Sequence, residues 1–267
     1  MRDDSILAPA WKDRAGSPPA VEAGARLALG IDRIDADLLG GLRSDGLHEF
    51  YAARIEDGAS TLGFGLALAR RRQAQDGRPL LWGRLARGPM AQALPYGPGL
   101  VEWGLEPARM AVLLLPDARS LLRAGLDAIR AGAAGALLLE MEGPCPLLDL
   151  TASRRMALAA AETGTMVLLV RRGAQPVPSA AHSRWEVAAA PSDMLEAGAP
   201  GAPAFALTLQ RQRGGRDGMR YHLCWDRESG LFHEQREEGS ALSSATRATL
   251  APDVAAPRAA NDRWGAG

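Results

Sequence analysis

The stretch of sequence with the clearest chemical potential runs from Ala52 to Thr61 and reads Ala-Ala-Arg-Ile-Glu-Asp-Gly-Ala-Ser-Thr. It lies between a short apolar segment and an amphipathic one, an order typical of phosphate sites, in which a strand, a glycine-containing loop and a helix follow one another. A nucleotide-binding loop requires G-x-x-x-x-G-K-[ST], because the lysine contacts the terminal phosphates. Here Ala52 replaces the first glycine, Ala59 replaces the lysine, and the loop is one residue too long.

Charge makes the same loop less suited to a nucleotide. Glu56 and Asp57 would face a triphosphate, and at about 4 Å in an effective dielectric near 20 each would oppose a unit charge by about 4 kcal/mol. The 31 basic residues are 30 arginines and Lys12, so no lysine of the folded body can replace the missing one. We therefore predict that the loop does not hold ATP and that no cofactor is bound. The degenerate positions are Ala52, Gly58, Ala59, Ser60 and Thr61.

Other reactive groups show no catalytic pattern. Glu140 closes the apolar run Ala136–Leu139, where a fold of this kind places a metal-binding carboxylate, but the favoured interpretation is a strand-end carboxylate hydrogen-bonded to backbone amides. The histidines lack metal-ligand spacing, and no serine lies in a G-x-S-x-G turn. Cys145 and Cys224 are too few for a four-ligand zinc site or a disulfide scaffold. We predict no catalytic residue and no metal ligand, and the chain is not expected to be an enzyme.

Two groups of arginines remain as possible contacts. Arg211, Arg213 and Arg216 surround Gly214-Gly215 in a predicted hairpin turn, where guanidinium groups either grip phosphates or carboxylates of a partner or are simply solvated. Arg70-Arg71-Arg72 closes a predicted helix, where cations favour the helix end and solvent.

Composition limits the class of protein. The chain has 267 residues, a formal net charge of zero and 47% hydrophobic residues, which suits one full domain with tails or at most two small domains. A neutral chain is not expected to work mainly as a polyanion binder. The N-terminus does not resemble a secretory signal, and the longest apolar runs are far too short to cross a bilayer. We therefore predict a cytoplasmic protein without membrane contact.

Apolar segments alternate with amphipathic ones along the chain. This alternation predicts a mostly parallel sheet with helices on both faces, hence an α/β fold. The strands are predicted at Leu47–Ala53, Pro79–Trp82, Val112–Leu115 (buried), Ala136–Glu140 and Thr165–Val170. The helices are predicted at Thr61–Gln75, Ser120–Ala131 and Leu150–Glu162. A final antiparallel hairpin is predicted from Phe205–Gln212 and Arg220–Asp226.

Three regions follow from these patterns. Residues 1–26 are rich in proline and small residues and are expected to form a flexible lead-in. Residues 27–235 form the body with the degenerate loop. Residues 236–267 have too few apolar side chains to order themselves and are expected to be disordered. Ala188–Pro203 is expected to be a loop within the body.

The order of the pieces resembles the RecA-type ATPase core. Leu27–Asp35, then Leu38-Leu39-Gly40-Gly41-Leu42, is similar to the segment that leads RecA into its first core strand. His48-Glu49-Phe50-Tyr51 resembles the strand that enters the phosphate loop.

Within that superfamily the chain resembles the ImuA family, the RecA-like accessory proteins of bacterial mutagenesis cassettes. The similarity lies in the degraded loop, in Ala181-His182-Ser183-Arg184-Trp185 before Pro191-Ser192, and in the Leu207–Gly215/Tyr221–Asp226 hairpin. It covers roughly residues 25–235 and rests on the order of these motifs.

The resemblance implies a RecA-like fold and a role in SOS-induced, error-prone translesion DNA synthesis. It implies contacts with RecA, with an ImuB-like protein related to Y-family polymerases and with an error-prone replicative-type polymerase, DNA being contacted indirectly. This chain departs from RecA in its loop and in Leu80–Arg84, which offers no catalytic glutamate. The segments that correspond to the DNA-binding loops, Gly143–Leu148 and Arg171–Ser183, are short.

These departures favour a non-catalytic adaptor. Two alternatives stay open: a divergent regulatory ATPase whose sites are completed across subunits, and a SulA-like inhibitor of cell division, since SulA has a truncated version of this fold.

Overall fold

Strands and helices alternate through the parts of the chain that the computed structural model describes, residues 24–87, 95–192 and 201–235. The strands are β1 (Arg26–Leu27), β2 (Leu42–Arg43), β3 (Leu47–Ala52), β4 (Leu80–Leu85), β5 (Met110–Leu115), β6 (Ala136–Glu142), β7 (Met166–Arg172), β8 (Ser183–Ala189), β9 (Ala204–Gln212), β10 (Met219–Asp226) and β11 (Leu231–Glu234). The helices are α1 (Asp32–Asp37), α2 (Gly58–Asp76), α3 (Gly97–Glu102), α4 (Ala118–Ala131) and α5 (Leu150–Thr163). Single 3-10 turns lie at Ile55–Asp57 and Pro107–Arg109.

The large sheet has nine strands among the described residues, in the order β11-β10-β9-β8-β3-β7-β6-β4-β5. Six neighbouring strands of this sheet are mutually parallel: β8, β3, β7, β6, β4 and β5. β9 pairs antiparallel with β8, β10 with β9, and β11 with β10. The predicted α/β class, the mostly parallel sheet and the antiparallel hairpin are therefore confirmed. A separate two-stranded ribbon joins β1 to β2.

Helices cover both faces of the sheet, as predicted. Because successive side chains of a strand point to opposite faces, β3 directs Phe50 toward α2 and Leu47 toward α4 and α5. The α2 face holds an aromatic core in which Phe64 contacts the rings of Phe50, Trp185, Phe205 and Phe232. The opposite face is aliphatic and includes Leu121, Ile129, Leu139, Met156 and Leu169.

Local capping sets the ends of α4 and α5. The carboxylate of Asp117 accepts a hydrogen bond from Ser120 N at 2.7 Å, and α4 therefore begins at Ala118, two residues before the predicted start. Asp149 caps α5 in the same way at Ala152 N. Gly132 follows α4 in the left-handed region at φ 63°, which ends the helix.

The arginines at the end of α2 are not all solvated as expected. Arg72 is buried, pairs with Asp76 at 2.7 Å and donates to Gly164 O at 3.1 Å. Arg78 donates to the same carbonyl at 2.5 Å and to Thr163 O at 3.1 Å. Because the carboxyl end of a helix is partly negative, these two guanidinium groups stabilise the end of α5.

Two strands differ from the expectation. β5 was expected to be buried, but it lies at the edge of the described sheet, where Val112 is 36% and Leu114 is 44% exposed. β8 was not predicted at all, because between polar neighbours it carries only two large apolar side chains, Trp185 and Val187. Both face α2. β8 reaches Ala189 and so includes the first residues of the loop expected at Ala188–Pro203.

The predicted tails fall mainly outside the described residues. Residues 1–23 of the lead-in and residues 236–267 of the tail lie outside the described ranges. The expectations of a flexible lead-in and a disordered tail therefore stay predictions. Residues 24–26, counted with the lead-in, belong to the fold, since Arg26 begins β1 and Gly24 N donates to Asp45. Within the described ranges, no helix is both long enough and apolar enough to span a membrane.

Candidate functional site

The candidate site lies where α2 begins, against the carboxyl ends of β6 and β7. A cavity of about 260 Å³ opens there. Its apolar walls include Leu62, Leu66 and Trp103, and its charged walls are Glu140, Glu142 and Arg172. The predicted loop residues Gly58 and Ala59 also line it, so the structure does bring them together with Glu140.

The side chain of Asp57 points inward, away from solvent. Its side chain is only 2% exposed. One carboxylate oxygen accepts hydrogen bonds from Arg54 N at 3.1 Å and Nε at 3.2 Å, and the other accepts from Ala189 N at 3.0 Å. The expectation that Asp57 would face a triphosphate is therefore wrong. Arg54 N of the loop and Ala189 N at the end of β8 thus bind this carboxylate, and of the two acids only Glu56 is exposed, at 62%.

Arg172 covers the first residue of α2. A Cβ placed on Gly58 would overlap Cδ of Arg172, so the aliphatic part of the arginine lies directly on the helix start. The guanidinium group is held at 2.8 Å by Glu142, its cross-strand partner in the β6–β7 register. An anion that approached the first turn of α2 would have to displace this side chain, which is itself held by an ion pair.

The remaining loop positions offer little to a phosphate. The Thr61 hydroxyl is buried and donates to Asp57 O at 2.9 Å, so it serves the first turn of the helix. Ser60 is partly exposed, and Ala59 is exposed in the place where a lysine would be needed. Ala52 ends β3.

Glu140 is held by side chains. Its carboxylate lies 3.2 Å from Arg84 Nε and accepts a hydrogen bond from Trp82 Nε1 at 3.3 Å. The expected bonds to backbone amides are thus replaced by partners on the neighbouring strand β4. Burial raises the pKa of Glu140 above its ordinary value, while Arg84 and then Trp82 oppose that shift. The carboxylate is a structural group of the cavity wall.

The three arginines of the predicted contact group do not act together. Arg211 belongs to β9, and its guanidinium group donates to Ser179 O at 3.0 Å and to Ala181 O at 2.7 Å. Arg213 and Arg216 are exposed in the turn after β9. Only these two remain available to a partner.

The segment between β7 and β8 is held by arginines. Arg184 donates to Val177 O at 2.5 Å and to Ser179 Oγ at 3.1 Å, and it pairs with the buried Glu49 at 2.9 Å. Arg211 holds the same segment from β9, and Ala180 N donates to Ser153 Oγ of α5 at 3.1 Å. This segment, expected to correspond to a DNA-binding loop, is therefore fastened to the sheet and to α5 by side-chain hydrogen bonds.

A buried histidine network lies at the other end of β3. His48 Nδ1 lies 2.7 Å from Ser183 Oγ, and Nε2 lies 2.8 Å from the carbonyl oxygen of Arg43. Since a carbonyl only accepts, Nε2 carries the proton and Nδ1 accepts from the serine. Trp185 Nε1 donates to the same hydroxyl at 2.8 Å. Burial lowers the pKa of His48 to about 4, so the ring is neutral at pH 7.

Sequence reasoning missed Arg172, Trp103 and Arg84. The first two come from parts of the chain far from the loop and carry no motif. No sequence signal marks these residues: Arg84 lies beside Glu140 and Arg172 beside Glu142 on parallel strands, and this register exists only in the assembled sheet.

The assembled site is electrically balanced and poor in reactive groups. Each cavity carboxylate has its own guanidinium partner, so neither requires a ligand cation. In the described part of the chain, no lysine, histidine or cysteine lines the cavity. The arrangement can accept a small apolar group beside its two ion pairs. Compared with known proteins, the sequence matches no family model, and no curated protein is significantly similar to it.

Proposed function

We propose that this chain is a non-catalytic, RecA-like adaptor in SOS-induced, error-prone translesion DNA synthesis. It would act through contacts with RecA, an ImuB-like protein and an error-prone replicative-type polymerase. The proposal joins the motif resemblance to one structural observation: the side chain of Arg172 lies on Gly58, the first residue of α2. The carboxylate of Asp57, the residue before it, is bound to Arg54 N and Ala189 N.

The observation bears on function because a nucleotide would compete with the chain's own ion pairs. A phosphate near Gly58 needs Arg172 to leave the helix start, while Glu142, at 2.8 Å from that guanidinium, would then face the phosphate. The lysine that normally offsets such repulsion is absent from the body of the chain. An ion pair of the chain itself thus covers the first residue of α2, which supports a protein that works by binding other proteins.

The first experiment measures ATP binding by calorimetry and ATP turnover with and without single-stranded DNA. We expect neither binding nor turnover above a control without protein. Ser60→Ala removes the one loop hydroxyl that is not committed to the helix, and Thr151→Ala removes an exposed hydroxyl on α5 as its matched control. Turnover that Ser60→Ala abolishes and Thr151→Ala leaves intact would refute the adaptor proposal and favour the regulatory ATPase.

The second experiment measures binding of the purified chain to each of the three proposed partners. Saturable binding to at least one of them, independent of ATP, is the expected result. If none of the three binds, with or without single-stranded DNA, the proposed role is wrong even when the loop proves inactive.

A further inference from the structure

The outer surface of the α4–α5 layer carries an exposed leucine stripe. Leu150 is 53% exposed and Leu158 is 57% exposed on α5, and Leu147, just before the helix, is 42% exposed. Residues four and eight apart lie on one side of a helix. Leu150, Arg154 and Leu158 therefore form one stripe along α5, which we call the α5 stripe.

Five exposed arginines lie on the two helices of this layer. They are Arg119, Arg123 and Arg130 on α4 and Arg154 and Arg155 on α5, all exposed. Among the residues that the structure describes, none of these five has a carboxylate within ion-pair distance. Elsewhere in the fold, arginines such as Arg72, Arg84 and Arg184 are paired. These five arginines therefore lack ion pairs in the described part of the chain, as do Arg213 and Arg216 in the turn after β9.

The acidic groups of the same layer neutralise most of this charge, but within the described ranges they form no side-chain ion pair with it. Asp117 and Asp149 are occupied at the helix starts, where each accepts a backbone hydrogen bond at 2.7 Å. The exposed outer faces of the two helices otherwise hold only Asp127 and Glu162 as acids, against five arginines. With the two capping carboxylates counted, the layer holds four acids against five arginines, and its net charge is +1.

The combination points to one kind of partner. We propose that the outer surface of α4 and α5 docks an acidic amphipathic helix of another protein. Two helices packed side by side leave a shallow groove that a third can follow. Leucines of the partner would cover the α5 stripe, while its carboxylates would pair with the arginines on either side. A nucleic-acid backbone would satisfy the arginines but would leave the leucines against phosphate, so a helix fits this surface better.

This inference extends the proposed adaptor role by assigning a surface and a partner chemistry. It does not involve the start of α2. If the peptide fails to bind, the conclusions from the ATP experiments therefore still stand. If the chain proves to bind or hydrolyse ATP, the docking proposal for α4 and α5 can still be tested.

The test uses the full chain and a fluorescent synthetic peptide of about three heptads with leucine at the a and d positions and glutamate elsewhere. A peptide of the same composition with scrambled leucines serves as the control. We expect saturable anisotropy changes only with the patterned peptide, weakening as salt is raised. Leu158→Glu, and separately Arg154→Glu with Arg155→Glu, should each weaken binding at least about tenfold.

Matched variants make the same chemical changes away from this surface. Leu231→Glu alters a leucine that is 42% exposed on β11, and Arg213→Glu with Arg216→Glu reverses two charges in the turn after β9. Both should bind the peptide within about twofold of the unaltered chain. Circular dichroism checks that every variant is folded.

Four outcomes would overturn the proposal. The first is no saturable binding below about 100 μM. The second is equal binding of both peptides, or equal weakening by the matched variants. The third is self-association of the unaltered chain that Leu158→Glu abolishes, because a second copy would then be the occupant. The fourth is tighter binding of a DNA oligonucleotide that the α5 arginine variant alone removes.

Discussion

Replacing the buried His48 tests the structure through the pH dependence of its stability. Burial lowers the pKa of His48 from 6.5 in an unconstrained chain to about 4 in the fold. The unfolded chain therefore binds a proton between these two values while the folded chain does not. The contribution of His48 to the free energy of unfolding is therefore fully present above pH 6.5 and is lost as the pH falls toward 4.

The size of the effect follows from the shift. One pKa unit corresponds to about 1.4 kcal/mol, so the neutral ring contributes about 3 kcal/mol that acid removes. His182 adds to the same trend, since burial also lowers its pKa to about 4. That ring is only half-buried, so we expect it to contribute less. Asp45, Arg43 and His182 are the charged or titratable groups that act on His48, and burial outweighs all of them.

The assay is urea unfolding, followed by tryptophan fluorescence, at several pH values between 7 and 4.5. In His48→Gln, the amide can still donate to Arg43 O, but it does not titrate in this range. The unaltered chain should lose about 2 kcal/mol more than this variant between pH 6.5 and 5. His233→Gln changes an exposed histidine and serves as the control. Equal slopes for the unaltered chain and His48→Gln would refute the buried, neutral assignment.

The remaining predictions concern the start and the end of α2, and denaturant unfolding measures each of them. Gly58→Ala should destabilise the fold by about 1–3 kcal/mol because the new methyl group overlaps the arginine above it. Gly97→Ala is the control, because no atom lies within 4 Å of the added methyl group, and it should change the free energy of unfolding by less than about 0.5 kcal/mol. Equal destabilisation by the two substitutions would contradict the close approach of Arg172 to Gly58. Asp57→Ala should lower the free energy of unfolding by about 1–3 kcal/mol, because Ala189 N loses its hydrogen-bond acceptor. Arg78→Lys should destabilise the fold at pH 7, since one ammonium cannot reproduce the bonds to several carbonyls; a Tm equal to that of the unaltered chain would argue against this.

Most of the fold was predictable because its signals are local. Apolar runs such as Leu137–Leu139 and Val167–Leu169 are buried on both faces of a parallel sheet, and they stand out from the helical periodicity of α4 and α5. The exposure of Val112 could not be predicted in this way. Whether an apolar strand is central or lies at the edge depends on the order of strands in the sheet, which periodicity does not encode.

In the candidate site, too, some features could be predicted from the sequence and others could not. The replacement of a lysine by Ala59 can be read directly from the sequence. The inward turn of Asp57 could not be predicted, because its acceptor role depends on Ala189 N at the far end of β8. Arg211 was assigned to a turn from its neighbours, yet the antiparallel register of β8 and β9 directs it to Ser179 and Ala181.

The sequence alone determined that the chain forms an α/β sheet and that its loop lacks the residues of a phosphate site. Both properties depend on the identity and spacing of neighbouring residues. Only the tertiary structure decided what occupies the start of α2 instead. Arg172 reaches Gly58 because β7 ends beside β6, and Glu142 then holds the guanidinium in place. Contacts of that kind are set by strand order and register, and these emerge only when the whole sheet is assembled.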